Sequence, residues 1–223
     1  GHCERCGGEV IKKEKEQWML KMRSYADKLI EGLDETDFID RVKTAQINWI
    51  GKSEGAEIKF SIDGTNDNLV VFTTRPDTIY GVTFMVIAPE HPILEKLKDK
   101  ITNYDEVIDY QIEASKKSEF ERIEISKEKT GVKLEGINAI NPITNEKIPV
   151  YISDYVMMGY GTGSIMAVPA HDGRDYEFAR KFNIPIIEVI KGGNIEKEAY
   201  IGDGEMVNSD ILNGITNKKE AIE

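Results

Sequence analysis

Hydrophobic and polar positions change period along this chain. Over 13–31, Trp18, Met22, Tyr25 and Leu29 recur at helical spacing among Lys and Glu, and Gly32 stops the run, which predicts an amphipathic helix. A second helix is predicted over 37–50, with Phe38, Val42, Ala45 and Trp49 on one side and Gly51 after its end. From Ala56 the period shortens to two. Ile58, Phe60 and Ile62 alternate with polar residues, Asp63-Gly64 and Asn66-Asp67-Asn68 punctuate, and the β-rich run LVVFTT follows at 69–74. Further strands are predicted at 82–88, 133–137, 148–152, 155–158 and 165–168, and helices at 92–98, 105–117 and 174–182. Residues 184–190 are again apolar and β-rich, and 205–223 reads as a polar tail with a short strand. Many short strands with a few helices predict an α+β fold around a barrel-like sheet, preceded by a helical segment. The charged residues of 113–129 read as a solvated, mobile surface.

Composition narrows the function classes. A chain of 223 residues can bury a sizeable core. Its 29 Lys and Arg against 40 Asp and Glu leave a net charge of −11, which argues against a general nucleic-acid coat. No apolar run approaches the length of a membrane span, and the start, GHCERCGGEV, lacks the apolar core of a signal peptide. Two cysteines without a secretory cue predict a reducing, cytoplasmic setting. Cys3 and Cys6 form a lone C-x-x-C, whereas a zinc ribbon needs two such pairs; His2 adds a third donor at most, so no ordered metal is expected.

The chemistry concentrates in 159–178, GYGTGSIMAVPAHDGRDYEF. Glycines at 159, 161 and 163 allow a backbone to approach a ligand closely, a short apolar strand follows, and Asp172 stands where a helix N-cap belongs. Asp175, three residues on, is either a solvated first-turn acid or a carboxylate presented to a cleft. A serine hydrolase would want G-x-S-x-G, but no glycine stands two places after Ser164. A His-Asp metal hydrolase built on His171 and Asp172 would find only His2 and His91 elsewhere in the chain.

Together with TTRPDT at 73–78, this stretch resembles the editing domain of bacterial-type leucyl-tRNA synthetase; KTAQINWIGKSEGAEIKF at 43–60 and IPVYISDYVMMGYGTG at 148–163 carry the likeness through most of the chain. The resemblance implies the barrel-centred editing fold and four segments. These are a zinc-module remnant at 1–11, a helical connector to the catalytic body at 12–52, the editing domain at 53–204 and a return connector at 205–223.

It further implies post-transfer editing, the hydrolysis by a positioned water of the ester that links norvaline or isoleucine to the 3′ end of tRNA-Leu. A non-catalytic tRNA-binding or docking piece that needs the synthetase body is the alternative. Asp175 matches the aspartate that pairs with the substrate's α-ammonium group, and Thr74 is the candidate for positioning water. Thr78 matches the threonine that crowds out leucine, and is equally a turn-capping hydroxyl. Thr73 and Arg75 match the segment lining the terminal adenosine, although Arg75 has Asp77 as a rival partner. Met166 and Val168 line the side-chain pocket, and Tyr160 flanks the terminal adenosine or the pocket mouth. His171 and Asp172 orient groups beside Asp175, with a structural histidine as the competing reading. The expected partners are the tRNA 3′ end and the catalytic body, and the expected state is a monomer. No cofactor is expected here: ATP, Mg2+ and Zn2+ belong to the full-length enzyme. The HIGH-like and KMSKS-like elements of amino-acid activation are absent, so this chain is not expected to charge tRNA.

Overall fold

The computed structural model describes residues 2–8, 10, 13, 15–122, 129–159 and 161–223. It divides into two units, Lys12–Glu54 and the remainder, Gly1–Ile11 with Gly55–Glu223.

In the smaller unit, a 3-10 turn at Met22–Tyr25 leads into α1 (Ala26–Glu31), a second 3-10 turn at Gly32–Glu35 and α2 (Asp40–Ile50). Gly51 ends α2 in the left-handed conformation that favours glycine (φ 63°). The helix predicted from residue 13 begins only at 22 among the described residues. Trp18, Met19 and Leu20 are exposed, and a short helix that buries no apolar stripe gains little to offset its ordering cost. An apolar groove lined by Leu29, Ile39, Val42 and Trp49 marks this unit. Arg41 and Gln46 are the polar groups among the described residues of its lining.

The larger unit is built on a six-stranded sheet in the order β2-β1-β4-β5-β3-β6. Its strands are β1 (Ala56–Ile62), β2 (Asn68–Thr73), β3 (Phe84–Ile87), β4 (Val132–Ile140), β5 (Lys147–Ile152) and β6 (Ser164–Ala167). All pairings are antiparallel except β3 with β5. The edge strands β2 and β6 approach each other, so the α+β domain encloses a nearly closed, barrel-like core.

Period-two alternation sorts the side chains. Phe60, Ile62, Leu69, Val71, Met85, Ile87 and Met166 point into the barrel core. Phe84, Val86 and Ala167, one residue out of phase, pack on Phe178 and Ala179 of α5 (Gly173–Phe182). β3 is buried on both faces, which is why 84–88 reads as an unbroken apolar run. The register of β4 jumps between Lys133 and Asn138, around Gly136 at φ 89°. A Cβ there would stand 2.7 Å from the Lys100 carbonyl oxygen, so the bulge requires glycine. α3 (Ile93–Lys96) and α4 (Tyr104–Lys116) flank the sheet.

Three further expectations change. Residues 155–158 form a turn because the Asp154 and Val156 carbonyls accept from the Arg122 guanidinium (2.6 and 2.8 Å), which replaces a strand ladder. That same Arg122 is buried and bonds Glu90 at 2.6 Å, so part of 113–129 is anchored; residues 123–128 lie outside the described residues. Of 184–190 only Ile190 is in a strand, β7 (Ile190–Lys191), paired with β8 (Glu205–Met206). Pro185 has no N–H to give, and the Val189 and Ile190 N–H groups both go to a histidine ring, His171.

Candidate functional site

The glycine turn enters first. Gly161 and Gly163 adopt φ 61° and 72°, and a Cβ on Gly163 would overlap the Met158 sulfur. β6 then runs beside β3, and at its end Val168 turns the chain, its carbonyl accepting from the His171 and Asp172 N–H groups at 2.9 and 3.1 Å. Asp172 caps α5, its Oδ1 accepting from the Arg174 and Asp175 N–H groups. Burial pushes the Asp172 carboxyl up, but the Arg174 guanidinium and these two N–H groups outweigh it and hold it below its ordinary value.

Asp175 is no solvated first-turn acid. It is 4% exposed, Oδ2 accepts from the Val168 N–H at 2.9 Å, and Oδ1 accepts from the Tyr155 hydroxyl at 3.2 Å. Both donors are neutral, Arg174 is engaged with Asp172, and among the described residues no salt bridge reaches Asp175. Burial first, and the Asp172 charge second, push its carboxyl up to about 7.

The second segment abuts the first. β2 ends at Thr73, whose hydroxyl accepts from the Arg75 N–H at 3.0 Å, and Pro76 opens a 3-10 turn, Pro76–Gly81. Asp77, 2% exposed, takes a bidentate grip from Arg75 Nε and Nη2 at 2.9 and 2.7 Å. The buried Thr78 hydroxyl donates to the Arg75 carbonyl at 2.9 Å. Gly81 lies so close to the end of β6 that a Cβ would stand 3.1 Å from Val168 Cγ1. Met166 and Val168 share the core with Ile79 of this turn and with Val82 just after it.

His171 is saturated by backbone. Its Nδ1 faces the Tyr200 carbonyl at 2.8 Å, and its Nε2 accepts from the Val189 and Ile190 N–H groups, each at 3.0 Å. Burial lowers its pKa, so the ring is neutral and carries the proton on Nδ1. Thr74 is exposed, and among the described residues no hydrogen bond joins it to Asp175. Tyr160 lies outside the described residues. Sequence patterning missed Tyr155, which it put in a strand; no local spacing relates 155 to 175.

Cys3 and Cys6 sit on a tight turn in which the Cys3 N–H donates to Gly8 and the Gly7 N–H to Cys3. The first cause of a lowered Cys3 thiol pKa is the Cys6 backbone N–H. Among the described residues no group of three or more His, Cys, Asp or Glu is arranged to hold a metal, and two thiols alone do not complete a zinc site. Among the described residues, too, no helix is long and apolar enough to cross a membrane.

A nearly closed α+β sheet with a buried helix-start acid behind a glycine turn belongs to the class of aminoacyl-tRNA synthetase editing domains. A family model described as "Leucyl-tRNA synthetase, editing domain" matches residues 47–223, and the chain belongs to that family. It is 58% identical over 221 residues to a leucine–tRNA ligase of Alkaliphilus oremlandii (strain OhILAs), covering 98% of this chain and 27% of the relative. Identity to a leucine–tRNA ligase of Elusimicrobium minutum (strain Pei191) is 56% over 219 residues, covering 96% and 26%. The chain thus spans about a quarter of the length of these relatives. Among solved structures it is similar to one described as the "Crystal structure of the ternary complex of Agrobacterium radiobacter K84 agnB2 LeuRS-tRNA-LeuAMS". The TM-score is 0.68 at 35% identity, covering 88% of this chain and 24% of that one.

Proposed function

We propose that this chain hydrolyses the ester of mischarged tRNA-Leu, with norvalyl and isoleucyl esters as substrates and a positioned water as nucleophile. The observation that carries the reading is Asp175, a buried carboxyl that accepts from two neutral donors, the Tyr155 hydroxyl and the Val168 N–H. An α-ammonium group would supply the missing counter-charge, pull the carboxyl to its ionised form and form a charge-assisted hydrogen bond. An aminoacyl ester is already activated, so orientation and electrostatics can provide most of the rate without a covalent intermediate.

The other roles follow from what each group has left to offer. The Thr78 hydroxyl is committed to Arg75, so it would exclude leucine by bulk and not by hydrogen bonding. Arg75 gives Nε and Nη2 to Asp77, which leaves the Nη1 N–H groups for a nucleotide. Thr73 would flank the adenosine, Thr74 would hold the water through its exposed hydroxyl, and Met166 and Val168 would meet the aliphatic side chain. His171 and Asp172 would act by holding the loop and helix start from which Asp175 projects.

A second reading rests on charge. At −11 the chain offers little phosphate neutralisation, so tRNA affinity would come mainly from a synthetase body, leaving the separate chain a docking module.

Deacylation of isoleucyl- and norvalyl-tRNA-Leu, beside leucyl-tRNA-Leu and an Asp175→Ala control, separates these readings. Selective hydrolysis that disappears in the control supports catalysis. A folded chain inactive at high concentration, yet active when embedded in a full-length synthetase, supports docking. Unchanged turnover in the Asp175→Ala protein removes Asp175 as a site residue.

A further inference from the structure

We propose that Tyr155 is a positioning residue for Asp175, whose hydroxyl holds the carboxylate in the orientation that selects esters bearing an α-ammonium group. The inference rests on the reading of Asp175 as the ammonium partner. A carboxylate oxygen offers about two lone-pair sites. One on Oδ2 is taken by the Val168 N–H and one on Oδ1 by the Tyr155 hydroxyl, so each oxygen keeps one for a ligand. Fixed at both oxygens, the group cannot rotate about its terminal bond without losing a partner. At 3.2 Å the Tyr155 contact is long for an O–H···O bond. Ionisation on ligand binding would draw it in.

The surroundings keep Tyr155 in place and protonated. Its ring lies 5.9 Å from that of Phe178 and 5.7 Å from the Lys129 ammonium, which pairs at 3.8 Å with Glu177. The turn carrying it is clamped on both sides by Arg122, through the Asp154 and Val156 carbonyls, and Arg122 is itself held by Glu90. Asp154 is fixed further by Lys117 at 2.5 Å and by its own N–H, which donates to Tyr110. Burial, then the Asp175 charge, hold the Tyr155 hydroxyl well above its ordinary pKa, so it remains a donor. The charged groups facing the pair are Asp172 and Arg174 on α5 and Lys129 beside the ring.

The test is Tyr155→Phe in the 223-residue chain. It compares isoleucyl-tRNA-Leu with the matching α-hydroxyacyl ester, which lacks the ammonium, and follows the Asp175 carboxyl by NMR titration without substrate. The variant is expected to cleave the aminoacyl ester about tenfold less efficiently, through loss of a bond to a charged group. The hydroxyacyl ester should stay within about twofold of its wild-type rate, because it offers no cation to that bond. The carboxyl midpoint should rise by about half to one pH unit, because the lost bond favoured the ionised form. Equal loss on both esters, or an unmoved midpoint, overturns the proposal. If the wild type cleaves neither ester, the hydrolytic reading fails, and the carboxyl titration alone then decides the role of Tyr155. If Tyr155→Phe fails to fold, 3-fluorotyrosine at 155, a stronger donor, is expected to lower the midpoint, and no shift refutes the idea.

Discussion

Burying Asp175 at the first turn of α5 has a thermodynamic sign that needs no substrate to measure. Its carboxyl titrates near 3.8 in an unfolded chain and at about 7 when folded. A raised folded pKa contributes stability that is fully present below the unfolded value and lost as pH rises through the folded one. Asp175→Asn removes this dependence while keeping an acceptor for the Val168 N–H. At pH 8 the variant should therefore melt higher than wild type, by an amount on the order of a few kcal/mol, and the advantage should vanish near pH 4. Thermal melts across that window check it; equal curves would show that Asp175 ionises freely in the fold.

His171 has the opposite sign. Its folded pKa is lowered by burial, so its contribution is present above the unfolded value near 6.5 and is lost as pH falls through the lower folded value. His171→Ala orphans the Val189 and Ile190 N–H groups and the Tyr200 carbonyl. It should cost about 2–4 kcal/mol in urea unfolding at pH 8. A neutral result would mean that water replaces the ring.

At the scale of elements, side chains finish what strands do not. The turn after β5 is held by Arg122, and the approach to β7 by His171, each supplying a hydrogen-bond partner where a ladder would otherwise run. Arg122→Met should destabilise the chain by about 2–4 kcal/mol, since it leaves buried carbonyls and Glu90 without their partner. Denaturant titration reads this, and a change under 1 kcal/mol would contradict the clamp. The β4 bulge is a backbone counterpart: Gly136→Ala should cost about 1 kcal/mol or more, because φ 89° and the Lys100 carbonyl both oppose a Cβ.

These elements also mark what patterning can read. β1 and β2 are legible because their alternation and the Asp63-Gly64 turn are local signals, and their register follows, Ala56 opposite Thr73. The turn at 155–158 is not, because Val156 and Met157 are apolar for packing reasons while the Asp154 and Val156 carbonyls are claimed from 32 and 34 residues away. The first part of the predicted 13–31 helix fails for the converse reason: spacing alone does not supply the burial that stabilises a helix.

For the whole molecule, net charge sets an expectation for association with a polyanion. At −11, binding of tRNA-Leu by this chain should be weak, with a salt slope worth no more than about three phosphates between roughly 50 and 200 mM salt. Filter binding across that range tests it, and a steep slope would reveal a basic surface that the totals conceal. ATP-dependent charging of tRNA by the pure chain is expected to be absent, and its detection would contradict the sequence reading.

The linear sequence by itself determined the α+β class, most strand positions, and the two segments that belong to the editing-domain family, since period, turn residues and motif spacing are all local properties. It placed Asp172 at the helix N-cap but left Asp175 either a solvated first-turn acid or a carboxylate presented to a cleft. Tertiary structure decided that, by closing β6 against the Pro76–Gly81 turn and folding Val168 back over α5. It alone joined Tyr155 to Asp175, Arg122 to Glu90 and His171 to the approach to β7. Such contacts depend on which distant backbones run side by side, and that is set by burial of the whole core and by no spacing along the chain.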